Sequence, residues 1–292
     1  MASDTPEAEE AAVRAAEELK QRGVLRAFGG AHQVPKRAYT LEELRLNKIQ
    51  PERFLSPTDN TLSGVRNVLQ GAFVVGLTAG YLGGVLEFVQ LVEAAFVAFF
   101  ILAADQIANR GGVEALLVDS AGRLLSGTYG RRVALHEAGH FLVAYLLGLL
   151  PKAYTLSSLD AFRRTRQLNV QAGTQFCDSR FQKEVASGQI CSSSLDAFCC
   201  VALAGVATEW LRYERAEGGL ADVQQLDVML RALRFTQAKA DGQVRWAVLN
   251  VVTLLRKHAA VQDQLADAMA RGASVTECIG VIEAALAGSQ DV

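Results

Sequence analysis

Residues 133–150 read VALHEAGHFLVAYLLGLL, and this stretch decides the fold. It is apolar nearly all round, so it predicts a helix buried at the centre of a domain. The polar exceptions are His136, Glu137 and His140. On a helix, residues four apart share a face, with Cβ atoms about 5–6 Å apart. Both imidazoles can then reach one metal ion, and Glu137 can meet a water on that ion. The pattern H-E-x-x-H thus supplies two ligands and a general base, and lacks a third protein ligand. The competing reading is a polar patch on an ordinary helix. Against it, buried and unpaired His and Glu are costly, and coordination is one way to satisfy them. Gly139 costs roughly 1 kcal/mol against Ala inside a helix. Tight helix packing and the close approach of another chain account for it equally well.

Two later blocks extend the pattern: VALAGVATE over residues 201–209 and EGGLAD over residues 217–222. With H-E-A-G-H they resemble the FtsH-type zinc metallopeptidases, which carry an A-G-x-x-A-E-E-like helix and then a glycine-rich turn before N-D. The resemblance implies zinc as cofactor, His136, His140 and Asp222 as its ligands, Glu137 as the catalytic base and Glu209 as a residue that orients the site. Thr208 and Ala221 depart from the family pattern, and neither removes a ligand. Asp222 also reads as a helix N-cap, because Asp-Val-Gln-Gln leads into Leu226, Val228, Met229 and Leu230. Asp227 is a rival carboxylate, and Glu209 is another, since His-His-Glu is a known zinc set.

No G-x-x-x-x-G-K-[ST] run occurs, and Gly29-Gly30 is followed by Ala31-His32 rather than a phosphate-binding lysine. The likeness is to the ATPase-less relatives of plant and algal chloroplasts, through KRAYTLEELRL (36–46), YTLSSL (154–159) and QVRW (243–246). It implies a chloroplast membrane, thylakoid or envelope, as the location. It implies a polypeptide substrate, and assembly as a homo-oligomer or with an FtsH-type complex.

The chain has 292 residues, half of them hydrophobic, and a net charge of −2. That suits one sizeable domain with appendages and argues against a nucleic-acid partner. Five cysteines without a C-x-x-C pair read as reduced, buried thiols. No charge falls between Arg66 and Glu87, so Asn67–Leu86 matches the ~20 residues that cross a bilayer. Phe88–Ala104, which holds Gln90 and Glu93, reads as a short second span or an interfacial helix. Membrane lipid is therefore an expected partner. Gly76, Gly80 and Gly84 form a small-residue stripe. Arg66 and Arg110 flank both sides and set no orientation. The acid-rich first twenty residues do not read as a targeting peptide, so the chloroplast likeness implies a mature or trimmed form.

The expected fold is mainly α: a helical FtsH-like zinc peptidase domain with a small β element, preceded by a membrane segment. Residues 1–65 read as an N-terminal helical and linker region. Residues 66–108 read as a membrane segment of one or two spans, and 109–292 as the peptidase domain. Within this frame Pro6–Gly23 predicts a solvated helix, and Thr40-Leu41-Glu42-Glu43 a capping box that opens a short helix. Pro51–Ser63 predicts a linker, and Gly111-Gly112 the start of a connector. Alternation predicts strands over Ala153–Ser157 and Leu168–Ala172. A cap at Ser193 opens a helix ending near Tyr213, and further helices start near Asp222, Ala238 and Val275. The last is opened by a second capping box, Ser274-Val275-Thr276-Glu277. His32 reads as a surface loop residue, His258 as a residue at a helix end that is either exposed or placed to suit the helix dipole, and Trp210 and Trp246 as core.

The leading functional expectation is a membrane-anchored zinc metalloendopeptidase, without its own ATPase, acting on unfolded or loosely structured proteins. Its competitors are a non-catalytic membrane subunit of ATPase-bearing FtsH complexes, and an intramembrane zinc protease.

Overall fold

The computed structural model describes residues 5–54, 56–58, 60–168 and 172–288. In chain order the elements are α1 (Pro6–Gln21), α2 (Leu41–Leu46), α3 (Pro51–Phe54), α4 (Asn60–Leu82), α5 (Phe88–Asn109), α6 (Gly112–Leu125), α7 (Tyr129–Leu146), β1 (Pro151–Thr155), α8 (Ser158–Thr165), β2 (Gly173–Phe176), α9 (Ser179–Ser187), α10 (Ser192–Tyr213), α11 (Leu220–Ala232), α12 (Gln237–Lys257), α13 (Ala259–Ala270) and α14 (Val275–Leu286). The fold is mainly helical, and the two strands pair into a small antiparallel sheet.

The chain divides into two compact units. The first comprises residues 1–58, 131–154 and 174–292, and it holds the core. There every residue of α7 from Ala134 to Leu146 is buried, as an all-round apolar helix requires. Trp210 of α10 and Trp246 and Val251 of α12 join one apolar cluster with Leu44, Ile49 and Phe54. The C-terminal carbonyls of α7 lack helical partners of their own. Backbone N–H groups of Gly29 and Ala31 satisfy two of them, at Tyr145 and Leu146, each at 3.0 Å. Gly29 and Gly148 pass backbone against backbone, and both have positive φ, a conformation in which any side chain is strained. Both expected capping boxes form, at Thr40–Glu43 and Ser274–Glu277. α1 is not simply solvated: Glu9 binds Lys152 Nζ at 2.6 Å and the Ser179 N–H at 3.1 Å.

The second unit comprises residues 59–130 and 155–173. Here α5 is long and apolar enough to cross a membrane and is almost wholly exposed. α10 meets the same test of length and composition, but most of it is buried core. The uncharged stretch Asn67–Leu86 is not one helix: α4 stops at Leu82 and Gly84 turns with φ +70°, so the glycine stripe is broken at its end. Gly112 opens α6 rather than a connector. Asp105 caps that helix, its carboxylate accepting the N–H groups of Val113 and Glu114 at 3.1 and 3.0 Å.

Several local expectations shift. Pro51–Ser63 contains α3 and the start of α4. The strands lie at Pro151–Thr155 and Gly173–Phe176, displaced from the alternating runs; Val170 of the second run lies outside the described residues. His258 is buried rather than exposed, at the junction where it is both the C-cap of α12 and the N-cap of α13.

Candidate metal centre

Three helices build the site. α7 presents His136 and His140 on one face, one turn apart. α11 presents Asp222 in its first turn. Its cap is Gly219, with φ +87°, so Asp222 is not the N-cap that its local sequence suggests. α10 closes the site from behind with Glu209, Gly205 and the Val201 carbonyl.

Three donor atoms converge. His136 Nε2 and His140 Nε2 are 3.1 Å apart. Asp222 Oδ2 is 3.4 Å from each. Together they can hold a metal ion, and they are the one such group among the described residues. Their other atoms are already engaged. His140 Nδ1–H donates to the Val201 carbonyl at 2.8 Å, and His136 Nδ1–H to Glu209 Oε1 at 2.8 Å. These partners leave both Nε2 lone pairs facing the same point. Two lone pairs at this separation repel unless a proton or a cation lies between them, which is the donor chemistry of a metal site.

Glu209 does more than turn His136. It also accepts from Arg132 Nε–H at 2.7 Å and from the backbone N–H groups of Glu217 and Gly218 at 2.8 and 3.1 Å. One carboxylate therefore holds the His136 ring and the turn that leads to Asp222. Burial pushes the Glu209 carboxyl up, but the hydrogen bond and charge of His136, then the Glu217 N–H and Arg132, bring it down to about 2. Burial likewise opposes charge on His136, and contacts with Asp222 and Glu209 outweigh it, holding the imidazole up at about 10. His140 is raised despite burial, chiefly through Asp222. Asp222 is driven well below the usual carboxylate range: burial opposes this, and the two histidines prevail. The site thus attracts positive charge strongly.

Glu137 is buried beside His136, and its Oε2 accepts a hydrogen bond from Thr174 Oγ1 of β2 at 2.9 Å. Asp227 is exposed and pairs with Arg231 on its own helix at 2.9 Å, away from the group. Gly139 is explained by packing: a methyl there would overlap Thr208 Oγ1 and sit 3.0 Å from the Ala204 carbonyl.

Arg132 and Thr174 lie outside the sequence blocks that point to the site. Arg132 left a faint signal, because it lies four residues before His136 and so shares its face. Thr174 left none.

The fold and site define a helical protein with a buried His-His-Asp group able to hold a metal ion. No family model, no curated protein and no solved structure matches the chain.

Proposed function

We propose that this chain is a membrane-anchored zinc metalloendopeptidase of FtsH type, cleaving unfolded or loosely structured polypeptides at a chloroplast membrane. The convergence of His136, His140 and Asp222 carries the reading. Atoms about 2.0–2.1 Å from a tetrahedral ion lie about 3.3–3.4 Å from one another. The separations of 3.1, 3.4 and 3.4 Å fit that geometry. His136, His140 and Asp222 would supply three protein ligands, the number that catalytic rather than structural zinc sites use.

A zinc ion held there supplies Lewis acidity, acidifying water and polarising a peptide carbonyl at neutral pH. Glu137 takes the proton of the attacking water and returns it to the departing amine. Glu209 and the Val201 carbonyl keep the two imidazoles in the tautomer that offers Nε2. Burial of His136, His140 and Glu137 limits the access of bulk water to these atoms. The apolar surface of α5 supplies the anchor.

The test is metal analysis of the purified protein together with cleavage of unfolded casein. The expected result is one zinc per chain and cleavage in the parent. Glu137→Gln should keep zinc and lose cleavage, and Asp222→Ala should lose both. Zinc-loaded parent that leaves casein intact would sink the peptidase reading and favour the non-catalytic subunit.

A further inference from the structure

The base in this site is not free to choose its own orientation. Glu137 has three rotatable side-chain bonds, and a general base must be held to within about 0.5 Å of its working position. Thr174 meets that need. Its hydroxyl lies 2.9 Å from Glu137 Oε2 and 3.4 Å from the Glu137 carbonyl oxygen. A hydroxyl has one hydrogen, so the shorter contact takes it. Thr174 sits on β2, which is fixed by pairing with β1 and by the Cys177 N–H donating to the Leu150 carbonyl at 2.8 Å. A β-branched side chain on a strand has few χ1 choices, so the hydroxyl direction is set by the sheet.

We infer that Thr174 is a positioning residue for the reaction: it ties down Oε2 of Glu137 and leaves Oε1 as the oxygen that meets water. This rests on the zinc-peptidase reading. Among the described residues the hydroxyl hydrogen-bonds to Glu137, and not to His136, His140 or Asp222. Removing it therefore disturbs the base without disturbing the metal ligands. A rigid strand performs this task, so the effect falls on turnover rather than on substrate binding.

The experiment compares the full chain with Thr174→Val, Thr174→Ser and Glu137→Gln on a fluorogenic unfolded substrate. Zinc content and melting temperature are measured for each. General-base catalysis contributes about 10²–10⁴-fold, and misplacing the base forfeits part of that. Thr174→Val should lower kcat about tenfold or more, with KM, zinc content and melting temperature held near parent values. Thr174→Ser should restore most of the loss. Unchanged kcat in Thr174→Val overturns the inference and leaves the peptidase reading standing. So does a loss confined to KM, or one that tracks lost zinc or stability, or one that serine does not rescue. Full cleavage by Glu137→Gln, or no cleavage by the parent, overturns both.

Discussion

A methyl group on Gly205 would overlap the imidazole of His136. The converse holds one turn away, where a methyl on Gly139 of α7 would overlap Thr208 of α10. Two glycines, one on each helix, thus let α7 and α10 close on each other, and the space at Gly205 is filled by the His136 ring.

Gly205→Ala therefore tests the site through packing alone. In an unconstrained helix the change would stabilise by up to about 1 kcal/mol. Here the added methyl must push His136 off the point shared with His140 and Asp222. Zinc stoichiometry should fall below half, and peptide cleavage by more than tenfold. Gly280→Ala in α14, where an added Cβ meets nothing within 4 Å, is the matched control and should keep both. Full zinc loading of Gly205→Ala would show that the ring position is not critical.

Glu209→Gln should disturb two members of the candidate metal group, His136 and Asp222, at once. The carboxylate, 3% exposed, accepts from His136 on one side and from the Glu217–Gly218 turn on the other. An amide cannot accept all of these bonds, and it leaves Arg132 short of its closest anion. Loss of an orienting partner of a ligating histidine typically costs 10–100-fold in metal affinity. The expected result is at least tenfold weaker zinc binding in competition with a chelating dye. Breaking a buried ion pair costs about 3–5 kcal/mol, so the melting temperature should fall as well. Parent-like zinc affinity would reduce Glu209 to a structural role.

Much of this was readable locally and some was not, for a physical reason. The H-E-A-G-H helix, the two capping boxes and the run ending at Tyr213 follow from spacing within one element. What the sequence hides are contacts made when distant elements meet. Thr174 reaches Glu137 across 37 residues, and Arg132 reaches Glu209 across 77. His258 reads as exposed because Arg256 and Lys257 precede it, yet it is buried where α12 meets α13. The strand positions slipped because the true pairing is set by where the chain returns, not by alternation within each run. The membrane reading favoured the uncharged stretch before Glu87, but a turn at Gly83–Gly84 cuts that stretch short.

His258 predicts a pH dependence of stability. It is buried, and its Nε2 has no hydrogen-bond partner among the described residues. Burial, with Lys257 adding to it, holds the imidazole below its ordinary range. The folded protein keeps this ring neutral, while the unfolded chain protonates it below about pH 6.5. Above that pH the two states agree and nothing is gained or lost. As pH falls below 6.5 the unfolded state binds the extra proton, so stability declines until the folded ring also titrates. The slope cannot exceed about 1.4 kcal/mol per pH unit for one proton. Urea unfolding between pH 5 and 8 should show a shallower acid limb in His258→Gln than in the parent. Parallel limbs would mean that the ring titrates normally.

The surface of α5 predicts how the chain is held. α10 and α5 have similar length and apolar content, yet the protein buries one and leaves the other open. Phe96, Val97, Phe99, Phe100 and Ile101 are each more than half exposed. Leaving large apolar side chains in water forgoes about 1.5–3 kcal/mol apiece, so this face requires a cover. On the proposed membrane-anchored reading lipid is that cover, and Glu93 lies in the second turn of α5, near one end of the helix. Val97→Lys with Ile101→Lys places two charges near the middle of α5, at about 2.5–3.5 kcal/mol each in a bilayer. The parent should stay with membranes through alkaline carbonate extraction, and the double variant should be released with its zinc still bound. Release of the parent under the same conditions would show that protein, such as a second copy of the chain, covers α5 instead.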